Sequence, residues 1–228
     1  MNNLMNNKLV WVAVLILAGA GIYLGSKGDD KTTSGQTGKT SLNKEVQNKC
    51  QSQVGDELFC KFAGAFANIG AYQVTANVNS NEGATSIELA SDAKGNSQMV
   101  LKKDGQSQTL VSYNGSTYVK GPGDSAWTKY PSGDASAQII DLKKEFVKGD
   151  FDKNDKGEKI SYKKIGTESC GNLQCWKYEV TEPSQNGFLY FDTQNYWLRR
   201  VTISNSASNT DMNLTYENVS IAEPSPVK

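Results

Sequence analysis

The sequence contains no histidine in 228 residues, and its only arginines are the adjacent pair Arg199 and Arg200. Without histidine the commonest general base is missing, so neither a Ser-His-Asp triad nor a Cys-His dyad can be assembled. Zinc loses its commonest nitrogen donor. The cysteines at 50, 60, 170 and 175 are also not at the usual zinc spacings. No C-x-x-C occurs, which removes the common redox motif. Net charge is lacking as well, with 24 basic and 24 acidic residues. Residues 41–228 carry 20 basic and 22 acidic side chains, a net of −2. No basic stripe interleaved with aromatics is present, so nucleic-acid binding has little electrostatic basis. No nucleophile–base pair or metal constellation stands out. The chain therefore reads as a non-enzyme without a cofactor.

Charge is also absent from Leu9 to Leu24, LVWVAVLILAGAGIYL, which Lys8 precedes. As a helix this run spans about 24 Å, marginally short of a ~30 Å hydrocarbon core. A signal peptide would use Leu9 to Leu17 and be cut near Ala18-Gly19-Ala20. An uncleaved anchor would continue through Ile22, Tyr23 and Leu24. The apolar run extends past the possible cut, which favours the anchor. Either reading exports the remainder. Leu17-Ala18-Gly19-Ala20 has alanine where a lipobox has its lipidated cysteine, which excludes lipid anchoring there. Ser26 to Thr40 contains no apolar residue and reads as a flexible tether. The expected organisation is a membrane segment at 1–25, a tether at 26–40 and a folded domain at 41–228. The expected location is the cell membrane, single-pass, with the domain on the extracytoplasmic side.

The four cysteines lie beyond the tether, and an exported domain would oxidise them to two disulfides. Three connectivities are open. Local pairing, Cys50–Cys60 and Cys170–Cys175, is favoured by Gly55-Asp56 and Gly171-Asn172 lying between the partners. Ten residues of unbroken helix would separate Cys50 and Cys60 by about 15 Å, whereas a disulfide needs Cα atoms within about 7 Å. The first bridge therefore predicts a helical hairpin reversing near Gly55.

Residues 41 to 69 read as helical. Leu42, Val46, Leu58, Phe59, Phe62, Phe66 and Ile69 recur at helical spacing, with Ser41 as N-cap. After Gly70 the period becomes two, as Tyr72, Val74, Ala76 and Val78 alternate with polar residues. Strands follow near 84–90, 97–103, 107–113, 116–120 and 126–130. Gly95-Asn96, Asp104-Gly105 and Asn114-Gly115 suit tight hairpin turns. Ala135 to Val147 reads as a helix capped by Asp134, with Ile139, Ile140, Leu142, Phe146 and Val147 as its stripe. Strands resume near 159–166, 174–181, 187–192, 197–204 and 211–221. The expected fold is α+β, mainly β. About eleven antiparallel strands make a sheet too long to stay flat, so it should curl, with helices covering the concave face.

Candidate chemistry is sparse. Asp150, Asp152 and Asp155 resemble the start of a calcium loop. Neither register places glycine at loop position six and glutamate at twelve. Asn114-Gly-Ser116, Asn213-Leu-Thr215 and Asn218-Val-Ser220 match the glycosylation triplet. On a strand, Arg199 and Arg200 point to opposite faces, so one of them could meet an anionic head group. Tyr72, Val74, Trp127, Trp176, Tyr178, Phe188 and Tyr190 would line the concave side. They form either a solid core or, with Arg199, the walls of an apolar cavity.

Two stretches carry a family resemblance. Gly115-Ser-Thr-Tyr-Val-Lys120 followed by Ser125-Ala-Trp-Thr-Lys-Tyr130 resembles the strand and Trp-x-Lys-Tyr segment of LolA-like and LppX/LprG-like lipoproteins. Phe191-Asp-Thr-Gln-Asn-Tyr-Trp-Leu-Arg-Arg-Val201 is similar to their late hairpin. The resemblance covers roughly residues 60 to 221. It implies an unclosed β-barrel with helices as a lid and a hollow for lipids or lipoprotein acyl chains, without catalysis. The missing lipobox cysteine and the two cysteine pairs depart from that pattern. The expected function is a membrane-tethered binder of a lipid, lipoprotein acyl chain or other apolar ligand. The alternative is an envelope structural or protein-interaction module without a cavity.

Overall fold

The computed structural model describes residues 41–130, 139, 142–148, 150–154 and 156–228. The expected membrane segment and tether, the cap at Asp134 and the acid at Asp155 lie outside them. No helix among the described residues is long and apolar enough to cross a membrane.

Three helices lie among the described residues: α1 (Lys44–Gln53), α2 (Glu57–Phe66) and α3 (Leu142–Lys148). The strands are β1 (Tyr72–Ser80), β2 (Gly83–Ser91), β3 (Ser97–Lys103), β4 (Gln106–Tyr113), β5 (Ser116–Lys120), β6 (Thr128–Tyr130), β7 (Ser161–Cys170), β8 (Leu173–Glu182), β9 (Gln185–Asp192), β10 (Leu198–Ser204) and β11 (Ser208–Thr215). Hydrogen-bonded neighbours run in the linear order β6-β5-β4-β3-β2-β1-β11-β10-β9-β8-β7, an unclosed sheet ending in β6 and β7. The described residues divide into two compact units. One comprises 71–130, 139 and 201–228; the other comprises 41–70, 142–148, 150–154 and 156–200.

The first unit is a meander. Strict alternation along β1 buries Tyr72, Val74, Ala76 and Val78 and exposes the residues between them. Antiparallel register aligns Leu214, Val74 and Leu89 across three strands, and Met212, Ala76 and Ile87 beside them. All six are buried. Asp104-Gly105 and Asn114-Gly115 are left-handed at both positions, as two-residue turns between right-twisted strands require. The β2–β3 turn departs from the expected Gly95-Asn96 hairpin. Asp92 organises five residues there, accepting the N–H groups of Lys94 and Asn96 and the Asn96 side-chain amide. The last strand also stops earlier than expected, at Thr215 instead of 221. Its continuing apolar residues Val219 and Ile221 instead pack against Val111, Tyr118 and Trp127.

The second unit holds the helices. Asn43, not Ser41, caps α1 by accepting the Val46 N–H; Ser41 is turned to Asn68. Asp56 caps α2 through the Phe59 N–H. Gly55, at φ +76°, reverses the chain between them. Cys50 and Cys60 are bridged across the hairpin at a Cα separation of 5.4 Å, and Cys170–Cys175 spans the β7–β8 turn at 5.9 Å. The Asn43 N–H donates to Gly64 O, and a Cβ on Gly64 would lie 3.1 Å from Asn43 O. A side chain at Gly64 would therefore require the start of α1 to give by a few tenths of an ångström. The expected helix over 135–147 is shorter among the described residues, beginning at Leu142, and Ile139 is not helical.

Candidate functional site

The densest apolar chemistry lies in the second unit. Phe59, Phe62 and Phe66 follow one another at three- and four-residue steps, so all three project from one side of α2. Phe62 stacks on Phe191 of β9, with centroids 4.9 Å apart and planes 9° from parallel. Phe59 meets Tyr162 at 4.1 Å and Tyr178 at 5.8 Å. Phe146 of α3 makes edge contacts with Phe62 and Phe66, and Phe151 packs on Phe146 at 5.4 Å. Six of the seven phenylalanines thus join Tyr162 and Tyr178 in one continuous cluster. Each ring contact of this kind contributes about 0.5–1.5 kcal/mol beyond the area it buries.

Two polar groups enter this apolar setting. The Tyr178 hydroxyl donates to the Asp56 carboxylate, 2.9 Å from Oδ1 and 3.0 Å from Oδ2. Asp56 therefore fastens α2 to β8 as well as capping it. Burial, the Asp56 hydrogen bond and the Asp56 charge, in that order, push the Tyr178 hydroxyl well above the ordinary phenol range. Burial also raises Tyr162, aided by the charges of Glu182 and Asp152. Both hydroxyls stay protonated at neutral pH, and that of Tyr178 serves as a donor.

The residues singled out from the sequence are distributed unevenly. Trp176 lies opposite Phe191, and Tyr178 opposite Leu189, so these four share one face of β8–β9. Phe188 and Tyr190 lie opposite Glu179 and Lys177, on the other face. There Lys177 Nζ sits 4.5 Å from the Phe188 centroid and 5.3 Å from that of Tyr190, and donates to Glu168 at 2.8 Å. Arg199 Nε donates to buried Asp192 at 2.9 Å, and its guanidinium lies 5.3 Å from the Trp197 ring. Tyr72, Val74 and Trp127 belong to the meander unit. Tyr72 and Val74 are buried on β1. Trp127 packs beside Val111, Tyr118 and Ile221, and its N–H donates to Pro226 O.

Three features carry weight that residue pattern alone did not assign. Phe151 follows Asp150 in a segment that reads as a charged loop, yet it is buried. Asp192 accepts N–H groups from Gln194 and Asn195 and also binds Arg199, so the aspartate-led turn is a buried polar knot. Asp56 reads as a turn residue; only its position before Phe59 hints at a cap. Among the described residues no group of three or more cysteines or carboxylates could hold a metal. Asp150 instead accepts from Gln53, and Asn154 accepts the N–H groups of Lys156 and Glu158.

No family model and no curated protein matches the sequence. Solved structures do. LprF from Mycobacterium bovis is similar at 16% identity and a TM-score of 0.49, over 81% of this chain and 99% of that one. LppX from Mycobacterium tuberculosis is similar at 12% identity and a TM-score of 0.49, over 79% and 100%. A LolA superfamily protein from Nitrosomonas europaea is similar at 9% identity and a TM-score of 0.30, over 80% and 96%.

Proposed function

We propose that this chain is a membrane-tethered extracytoplasmic protein that binds an apolar ligand, a lipid or lipoprotein acyl chain, at the cell envelope. The observation that carries the reading is the convergence of six of seven phenylalanines on one face of β7–β9 beneath a disulfide-bridged helical hairpin. That face offers an acyl chain rings to lie against, with Tyr178 and Trp176 at hand, and no catalytic group. The apolar run Leu9–Leu24 would hold the chain on the membrane, residues 26–40 would space it, and 41–228 would form the binding domain. Two bridged cysteine pairs suit an oxidising compartment. In the sheet register Tyr72 and Val74 lie on the face of Leu89, Met99 and Leu110, and Trp127 lies on the opposite face beside Val111 and Tyr118, so these three would not share one binding surface. Phe188, Tyr190 and Arg199 would supply a polar-rimmed one.

The rival reading, an interaction module without a cavity, is favoured by one observation. Phe59, Phe62, Tyr178 and Phe191 are fully buried by their own neighbours, so the cluster is already filled by protein. Native mass spectrometry of the full chain, extracted oxidised from membranes in mild detergent, separates the two. The lipid reading expects a bound apolar species at near-unit stoichiometry, released on denaturation. Repeated isolation of ligand-free folded protein from membranes sinks it in favour of the module.

A further inference from the structure

The two ends of the sheet are finished differently. The β6 edge is only three residues long. Just before it, Trp127 is bridged to Val227: the Trp127 N–H donates to Pro226 O, and the Lys228 N–H donates to Trp127 O. Residues 226–228 thus cover that edge at Trp127. The β7 edge runs for ten residues, and among the described residues no strand lies beyond it. Its outward amides and carbonyls are a template for another strand.

Side chains say what that strand should carry. Lys159, Lys163 and Lys164 are exposed along this edge and its approach. None of the three makes an ion pair among the described residues; Lys164 lies over the Trp176 ring at 3.9 Å. The one acid on the strand, Glu168, is already engaged by Lys177. A bulge between Lys164 and Gly166 sets the strand into two short runs and leaves Ile165 48% exposed, one of the few large apolar side chains so placed. Edge lysines and bulges discourage indiscriminate pairing. They do so least against a short strand with carboxylates to meet the lysines and an apolar side chain to meet Ile165. A second copy of β7 would bring lysines of its own and no unpaired acid.

We infer that the outer edge of β7 is a docking site for a short extended segment of another protein, acidic and apolar in alternation, which adds a strand beside Ser161–Cys170. The site uses the hydrogen-bonding edge of β7, a strand whose Tyr162 side chain also joins the aromatic cluster.

The test uses the full chain in nanodiscs and a blocked octapeptide of alternating Glu and Val. Two controls accompany it: the matching Lys–Val peptide, and the Glu–Val peptide with alternate amides N-methylated. The expected result is saturable binding of the Glu–Val peptide alone, with slowed hydrogen exchange confined to amides of 161–170. Lys159→Glu with Lys163→Glu, side chains that make no ion pair among the described residues although Lys163 lies opposite Glu179, should weaken binding by about tenfold, the factor that 1.4 kcal/mol carries. The cysteine bridges and the exchange of α2 and β9 in the same variant report that the fold persists. No binding, equal binding of the Lys–Val peptide, or protection outside β7 overturns the proposal. So does protection of β7 that grows with chain concentration and needs no peptide, since the occupant would then be a second copy.

Discussion

The meander unit and the helical-hairpin unit reach order by different routes. In the meander, β1 pairs on both sides with complete register, and apolar residues meet in rows such as Leu214–Val74–Leu89. Its turns are set by residues that tolerate a left-handed backbone, and it contains no disulfide. In the hairpin unit, helices of ten residues each are too short to stand alone in water. They are held by a bridge, by the fastening of Asp56 to Tyr178, and by rings from three separate segments. Pattern distributes stability along the meander, whereas the hairpin unit concentrates it in a few contacts. Single substitutions should therefore be felt most in the hairpin unit.

Phe62→Ala is the strongest way to break that comparison. It removes a fully buried ring that touches Phe59, Phe66, Phe146 and Phe191. The expected loss is about 3–5 kcal/mol, read as accelerated hydrogen exchange in α2, β8 and β9. A loss below about 1 kcal/mol would show that the cluster is not what holds this unit. Next come the bridges. In the loop-entropy account Cys50→Ser with Cys60→Ser costs about 3 kcal/mol, and Cys170→Ser with Cys175→Ser about 2 kcal/mol. Limiting reductant should open Cys170–Cys175 first, because Cys170 is half-exposed while Cys50 and Cys60 are fully buried. Mass spectrometry after rapid thiol capture gives the order, and the reverse order would count against access as the controlling factor.

The two aspartate-led turns sharpen the comparison with a smaller effect. Asp92 binds the neutral amide of Asn96, whereas Asp192 binds the Arg199 guanidinium. Both acceptors are carboxylates, so the difference lies in the donor: replacing Asp192 removes the anion that faces the partly buried Arg199 guanidinium, whereas Asp92 faces only neutral amides. Asp192→Asn should therefore destabilise more than Asp92→Asn in chemical denaturation, and equal losses would place the weight on the turn N–H groups alone.

The same contrast decides what was legible in the sequence. The meander was read strand by strand because period two and the pairs Asp104-Gly105 and Asn114-Gly115 are local signals. Cysteine pairing was legible because a ten-residue helix cannot bring Cys50 to Cys60 without a reversal. Trp176, Tyr178, Phe188 and Tyr190 carry the same alternating aromatic pattern, yet a one-residue offset in strand parity sends the first two and the last two to opposite faces of β8–β9. Phe151 was hidden among Asp150, Asp152 and Lys153, since its burial depends on Phe146, whose position is set by tertiary packing. The tail beyond Thr215 kept an alternating pattern that a neighbouring cluster, not a strand, satisfies.

Tyr178→Phe tests the fastening between helix and sheet with the smallest change in shape. At neutral pH the variant loses one hydrogen bond to a carboxylate that still caps α2, a cost of about 1–1.5 kcal/mol. Alkali should change the comparison in a defined direction. The hydroxyl is raised in the folded state, so above about pH 10 an unfolded chain releases this proton while the folded chain keeps it. Folding stability then falls as pH rises, by at most about 1.4 kcal/mol per pH unit for each such tyrosine. Tyr162 contributes in the same sense and remains in the variant. The gap between wild type and Tyr178→Phe should therefore narrow between pH 10 and pH 11.5 without the alkaline slope vanishing. Urea denaturation at matched pH, followed by tryptophan fluorescence, measures it. A gap that stays constant across that range would mean that Tyr178 ionises as freely in the folded chain as in the unfolded one, and that the contact with Asp56 does not fasten α2 to β8.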